Sequence, residues 1–185
     1  MSVEEVFRKV QFALQATGIP YMVTGSFASS IHGEPRASKD IDIVIAPSRE
    51  QLLDFVQHFP ADEYYADEQD ALESFAHGSM FNIIDFRSGW KVDLIFLKQR
   101  PFSQTEFARR TEQDLAGLRL TFATAEDVLI AKLEWAKIGE SHRQLEDAAS
   151  IIRIKASLLD RDYIERWVRE LELEQQWATA SRLAV

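Results

Sequence analysis

The 185-residue chain contains no cysteine, which removes disulfides and thiolate metal sites and fits a reducing compartment. With only seven glycines and five prolines it shows no low-complexity linker, and no internal repeat is visible. No apolar run approaches the length needed to span a bilayer. The start, MSVEEVFRKV, lacks the apolar core of a signal peptide, so a cytoplasmic protein without membrane contact is the expectation. Basic residues are in deficit, 21 against 30 acidic ones, for a net charge of −9. Affinity for nucleic acid comes mainly from neutralising phosphates, so this balance argues against general attraction to it. The only modest basic group, Lys98, Arg100, Arg109 and Arg110, reads as a solvated loop and helix face. There is no Gly-x-x-x-x-Gly-Lys run and no Gly-x-Ser-x-Gly elbow, which disfavours P-loop ATPases and serine hydrolases. His32, His58, His77 and His142 have no metal-ligand spacing and read as surface or loop residues.

What is present is an ordinary globular composition, 46% hydrophobic with twelve Phe and four Trp. A chain of this size buries roughly 70% of its unfolded surface, enough for one domain with a helical extension. Ser2 with Glu5 forms a capping-box pattern that opens a helix to about Thr17. Tyr21–Thr24 reads as a short strand, Ser26–His32 as a short helix and residues 40–46 as the next strand. Ser48 with Gln51 opens a helix through about His58, and the acidic segment 60–78 holds another around Asp70–His77. MFNIIDF (80–86) and KVDLIFL (91–97) predict an antiparallel hairpin. Beyond it come a helix near Thr105–Arg110 and a strand around Leu118–Phe122, after which the pattern turns helical. The helical stretches there run from Thr124 to about Lys137, Ser141 to Arg153, Asp160 to Leu171 and Leu173 to Leu183. In the last two, Trp167, Leu171 and Trp177 form a stripe that reads as helix packing. The fold class is therefore α/β (α+β): a small mixed-sheet core over residues 1–123, with a helical extension over 124–185.

One strand is chemically odd. Asp40 and Asp42 stand two residues apart in Asp40-Ile41-Asp42-Ile43-Val44-Ile45, so they share a face while the isoleucines pack behind them. Two carboxylates side by side repel and call for a positive partner. Hard divalent cations with oxygen ligands suit that pair, and two such ions can clamp the attacking and leaving oxygens of a phosphoryl transfer. Upstream, the strand 21–24 runs into Gly25-Ser26 and a helix, whose free N–H groups and dipole favour a phosphate. Gly25 allows a sharp turn and close approach, and Ser26 adds a hydroxyl donor. A third carboxylate has two candidates, Asp85 and Asp93, each inside an apolar run. A two-residue turn at Ser88-Gly89 places these acids on opposite faces, and a three-residue turn sets them across from each other.

At these residues the sequence resembles the nucleotidyltransferase superfamily of the DNA polymerase β fold. Its pattern is Gly-Ser, a spacer, Asp-hydrophobic-Asp and later a lone Asp between apolar residues; here that is Gly25-Ser26, Asp40-Ile41-Asp42 and Asp93. Gly33 and Arg36-Ala37-Ser38-Lys39-Asp40-Ile41-Asp42 look most like minimal nucleotidyltransferases and abortive-infection toxin relatives, with Ser38 where Thr is usual. Ala131-Lys132-Leu133 and the segment Arg143 to Asp147 resemble helices of the same group. The resemblance extends to about residue 153, and the last thirty residues match no pattern.

The resemblance implies a Mg²⁺-dependent enzyme, with two metal ions and Mn²⁺ as a substitute, that moves a nucleoside monophosphate from an NTP to an acceptor. It assigns Asp40, Asp42 and Asp93 to catalysis and metal binding, favouring Asp93 over Asp85. Gly25, Ser26, Arg36 and Lys132 become the nucleotide-binding residues. The acceptor is open between tRNA, protein and a small molecule, and a cognate antitoxin is an implied partner. The alternative is a non-catalytic nucleotide-binding or regulatory protein that retains the fold.

Overall fold

The computed structural model describes residues 2–115 and 117–185. In chain order these form α1 (Val3–Ala16), β1 (Tyr21–Thr24), α2 (Gly25–His32), β2 (Asp40–Ile45), α3 (Arg49–Gln57), β3 (Tyr64–Tyr65), α4 (Glu68–His77), β4 (Met80–Asp85), β5 (Lys91–Phe96), α5 (Pro101–Arg109), β6 (Thr111–Leu115), β7 (Leu118–Phe122), α6 (Ala125–Gly139), α7 (His142–Lys155), α8 (Arg161–Glu170) and α9 (Glu174–Leu183). The chain divides into two compact units.

One unit comprises Met1–Thr24 and Ser38–Phe122 and carries the whole sheet, in the order β3-β4-β5-β2-β1-β7-β6. The sheet is mixed: β2/β5 and β1/β7 run parallel, and the other neighbours antiparallel. Apolar alternation drives one face inward, where Ile41, Ile43, Phe81, Ile83, Val92 and Leu94 are buried. α1 and α3 start at complete capping boxes, Ser2 with Glu5 and Ser48 with Gln51, that satisfy otherwise orphaned N–H groups. α4 is capped by Asp67 and ends at Gly78, whose φ of 60° is the left-handed conformation that glycine adopts without cost.

Two strands lie outside the sequence expectations, and two expectations are corrected. β6 was not legible because TEQDL is a polar edge strand with no apolar face to bury. β3 is a two-residue strand inside the acidic segment, too short for any periodicity. α5 begins at Pro101 rather than near Thr105, because a proline at the first helical position has no N–H to leave unsatisfied. The β4–β5 hairpin does form, but Ile84 pairs with Lys91, so the turn is longer than two or three residues.

The other unit comprises Gly25–Ala37 and Ala123–Val185 and is helical. α6 starts at Thr124, whose hydroxyl accepts from the Asp127 N–H. α8 buries Tyr163, Ile164, Trp167 and Val168 along one side, and the Tyr163 hydroxyl donates to Asp127 Oδ1 at 2.5 Å. α2 lies against α7 at Gly33, where an added Cβ would strike Ser150 and come within 3.0 Å of the Ser29 carbonyl. His32 is buried, not on the surface: its Nε2 lies 2.8 Å from the Ala123 carbonyl. Burial pushes its pKa below the ordinary value; Lys155 adds to this, while the Ala123 hydrogen bond and Glu126 oppose it.

Candidate active site

In the sheet unit, register turns the isolated acids into an arrangement. β2 and β5 run parallel with Asp42 opposite Asp93 and Asp40 opposite Lys91. On the outer sides of that pair, Thr24 of β1 lies opposite Asp42 and Asn82 of β4 lies opposite Asp93. Register partners project to the same face. Thr24, Asp42, Asp93 and Asn82 therefore form one polar row across four adjacent strands. This is the less covered face, since Asp40 is exposed and Asp42 and Asn82 are half-buried, while Ile41, Phe81 and Val92 fill the opposite one.

Lys91 is the cation at this row. Its Nζ lies 2.9 Å from Asp93 Oδ2 and 3.7 Å from Asp40 Oδ1. The hydrogen bond to Asp93 raises the Lys91 pKa, with the charges of Asp93, Asp40 and Asp42 adding and partial burial opposing. Asp93 itself is buried, and its Oδ1 has no hydrogen-bond partner among the described residues. Asn82 Oδ1 is likewise buried and unpartnered. Buried acceptors are normally satisfied, so two vacant ones on neighbouring register positions need a donor or a cation to explain them. As they stand, no three acid or histidine side chains among the described residues form a set able to hold an ion. Carboxylates and an amide oxygen are nonetheless the donor chemistry of a hard divalent cation, so the residues fit Mg²⁺.

Parity separates Asp85 from Asp93. Asn82 faces Asp93, so Asp85, three residues along β4, points to the other side of the sheet. There it organises the hairpin turn. Its Oδ1 accepts from the N–H groups of Arg87 and Ser88 at 2.9 and 2.7 Å and from the Ser88 hydroxyl at 2.9 Å. Burial works to raise its pKa, but these hydrogen bonds outweigh it and hold the carboxyl below its usual range. The register differs by two residues from the one a Ser88-Gly89 turn implies, and an even shift leaves the faces unchanged.

In the helical unit, Arg36 and Lys132 converge on Asp147 of α7, and Arg36 links that cluster to Ser26. Lys132 Nζ reaches Asp147 Oδ2 at 2.8 Å, and Arg36 bridges to Asp147 through Nε and Nη2, each at 3.0 Å. Arg36 Nη2 also donates to Ser26 Oγ at 2.7 Å. Lys132 is buried, its side chain 5% exposed, so it belongs to an internal ion cluster and not to a helix surface. Gly25, the residue after Thr24, has φ of +63°, which explains glycine at that turn. Asn82 and Lys91 escaped sequence reasoning because their roles depend on strand register. Asp147 carried only a weak motif signal.

No protein-family model matches the chain, and no curated protein sequence matches it. Solved structures do. The antibiotic-resistance factor ANT(2'')-Ia in solution superposes with a TM-score of 0.58 at 14% identity, covering 98% of this chain and 97% of its own. The chain has a nucleotidyltransferase fold. An antigenic nucleotidyltransferase-like protein from Paracoccidioides brasiliensis aligns over 99% of this chain and 94% of its own, with a TM-score of 0.53 and 18% identity. A crystal structure of ANT(2'')-Ia in complex with adenylyl-2''-tobramycin gives 0.54 at 12% identity, covering 96% and 97%. At such identities the likeness speaks for the fold and not for the substrate.

Proposed function

We propose that the protein is a Mg²⁺-dependent nucleotidyltransferase acting from an NTP onto an acceptor hydroxyl. The observation that carries this reading is the carboxylate row: Asp42 beside Asp93, Asp40 two residues before Asp42 on the same face, and a buried Asp93 Oδ1 that no donor among the described residues claims. Asp40, Asp42 and Asp93 would hold the metal, which supplies neutralisation of phosphate charge and activation of the hydroxyl when bound. Asp93 would also assist removal of the hydroxyl proton. The acceptor oxygen forms a bond to the α-phosphorus, the α–β phosphoanhydride bond breaks, and pyrophosphate leaves with the bonding electrons.

Gly25 and Ser26 are proposed to receive the triphosphate at the start of α2, with Arg36 and Lys132 supplying positive charge. Asp147 would then fix where those two cations stand. A structural neighbour is in complex with adenylyl-2''-tobramycin, which supports a small molecule among the candidate acceptors beside tRNA and protein. An antitoxin partner stays a proposal carried by the sequence resemblance alone. The deciding experiment incubates the protein with each labelled NTP, Mg²⁺ and a cell extract, and identifies the species that acquires label.

A second reading has its own observation. Arg36 and Lys132 are already ion-paired with Asp147, which favours a nucleotide-binding or regulatory protein without transfer. Nucleotide binding without pyrophosphate release would favour it.

A further inference from the structure

The carboxylate row holds a residue that a metal site does not require. Lys91 sits two residues before Asp93 on β5, on the same face, and directly opposite Asp40 on β2. Its ammonium lies between two of the three acids, 2.9 Å from Asp93 Oδ2 and 3.7 Å from Asp40 Oδ1. Lys91 takes Oδ2 of Asp93 in this way, while Oδ1 is buried with no partner among the described residues.

We infer that Lys91 is a tethered cation that holds this cluster together in the metal-free protein and competes with a divalent ion for Asp93. The inference rests on the metal-binding reading of Asp40, Asp42 and Asp93. Three carboxylates on adjacent positions repel one another, and a single ammonium among them offsets that repulsion while no ion is bound. A divalent cation joining Asp93 would stand within a few ångströms of the ammonium, so like-charge repulsion acts on Lys91 as the ion enters. Lys91 can yield, because 34% of its side chain is already exposed and its four-carbon stem rotates freely. The ion must therefore displace a 2.9 Å charge-assisted hydrogen bond before it gains Asp93 fully. Lys91 thus lowers metal affinity and supports the empty site with the same side chain.

The test measures Mn²⁺ binding by calorimetry, and the thermal midpoint with and without Mn²⁺, for wild type, Lys91→Met, Lys91→Gln and Lys91→Arg. Removing the charge should tighten Mn²⁺ binding by about tenfold, the scale of one near-surface charge interaction. Lys91→Met should also lower the midpoint in chelator and enlarge the gain on adding Mn²⁺. Lys91→Gln, which keeps a donor, should tighten binding with less loss of midpoint, and Lys91→Arg should return the affinity to wild type. A lower midpoint with unchanged or weaker Mn²⁺ affinity in both neutral variants would overturn the inference and leave the metal site standing. Binding by the neutral variants alone supports it, as complete masking. Binding by none of the four proteins overturns the metal reading and this inference together.

Discussion

Asp42 and Asp93 are register partners on the parallel strands β2 and β5, and the sheet offers no other pair of acids in that relation among the described residues. The relation puts Asp93 on the face of Asp40 and Asp42, while Asp85 lies on the other face of the sheet.

Asp93→Asn should abolish Mn²⁺ binding measured by calorimetry, whereas Asp85→Ala should keep it. The second variant pays elsewhere: it loses three hydrogen bonds to a carboxylate and should destabilise by about 2–4 kcal/mol, since each such bond contributes roughly 1.5–3 and the turn relaxes in part. Denaturant titration separates the two effects. Loss of Mn²⁺ binding in a folded Asp85→Ala protein would contradict the assignment.

Gly25→Ala forces a side chain into a φ of +63°, at a cost of roughly 1–2 kcal/mol. Gly25→Val adds β-branching at the same place. Both should lower the thermal midpoint, and the valine variant should lose NTP binding by calorimetry. Unchanged NTP affinity in Gly25→Val would remove this turn from the nucleotide site.

Asp147 is the common acceptor of Arg36 and Lys132, so removing it strands buried positive charge. Asp147→Ala should destabilise by about 3–5 kcal/mol, the usual cost of breaking a buried pair from one side. Lys132→Met should cost less, because Arg36 continues to satisfy the carboxylate. Equal denaturation midpoints for the two variants would show that Asp147 does not organise the cluster.

Part of this was readable in the sequence. The alternation in 40–45 fixes the shared face of Asp40 and Asp42, and the capping residues Ser2, Ser48 and Thr124 mark three helix starts. The facing of Asp85 relative to Asp93 was readable only as two alternatives, because it turns on the parity of the hairpin loop, which the observed register supplies. The polar row was not, because Thr24 and Asn82 join it only through interstrand register, which no local pattern encodes. Lys132 with Asp147 and the burial of His32 are tertiary pairings, and each side chain taken alone reads as a surface polar group.

His32 gives the stability a pH signature. Its folded-state pKa is depressed below the ordinary 6.5, mainly by burial, so its contribution is whole above that pH and declines as pH falls toward the lowered value. Asp85, held below its ordinary 3.8, loses its contribution only in more acidic solution. Between pH 7 and 5, His32→Gln should flatten the fall in thermal midpoint seen in wild type. An identical slope in both proteins would contradict a buried neutral imidazole.

Label transfer from an NTP in the presence of Mg²⁺, compared between wild type and Asp42→Asn, bears most directly on the proposed chemistry. Asp42→Asn should keep the fold by circular dichroism and lose transfer by about 10³-fold, equivalent to roughly 4 kcal/mol of transition-state stabilisation. Transfer at the wild-type rate by a folded Asp42→Asn protein, or no label from any NTP on any species in the extract, would contradict it.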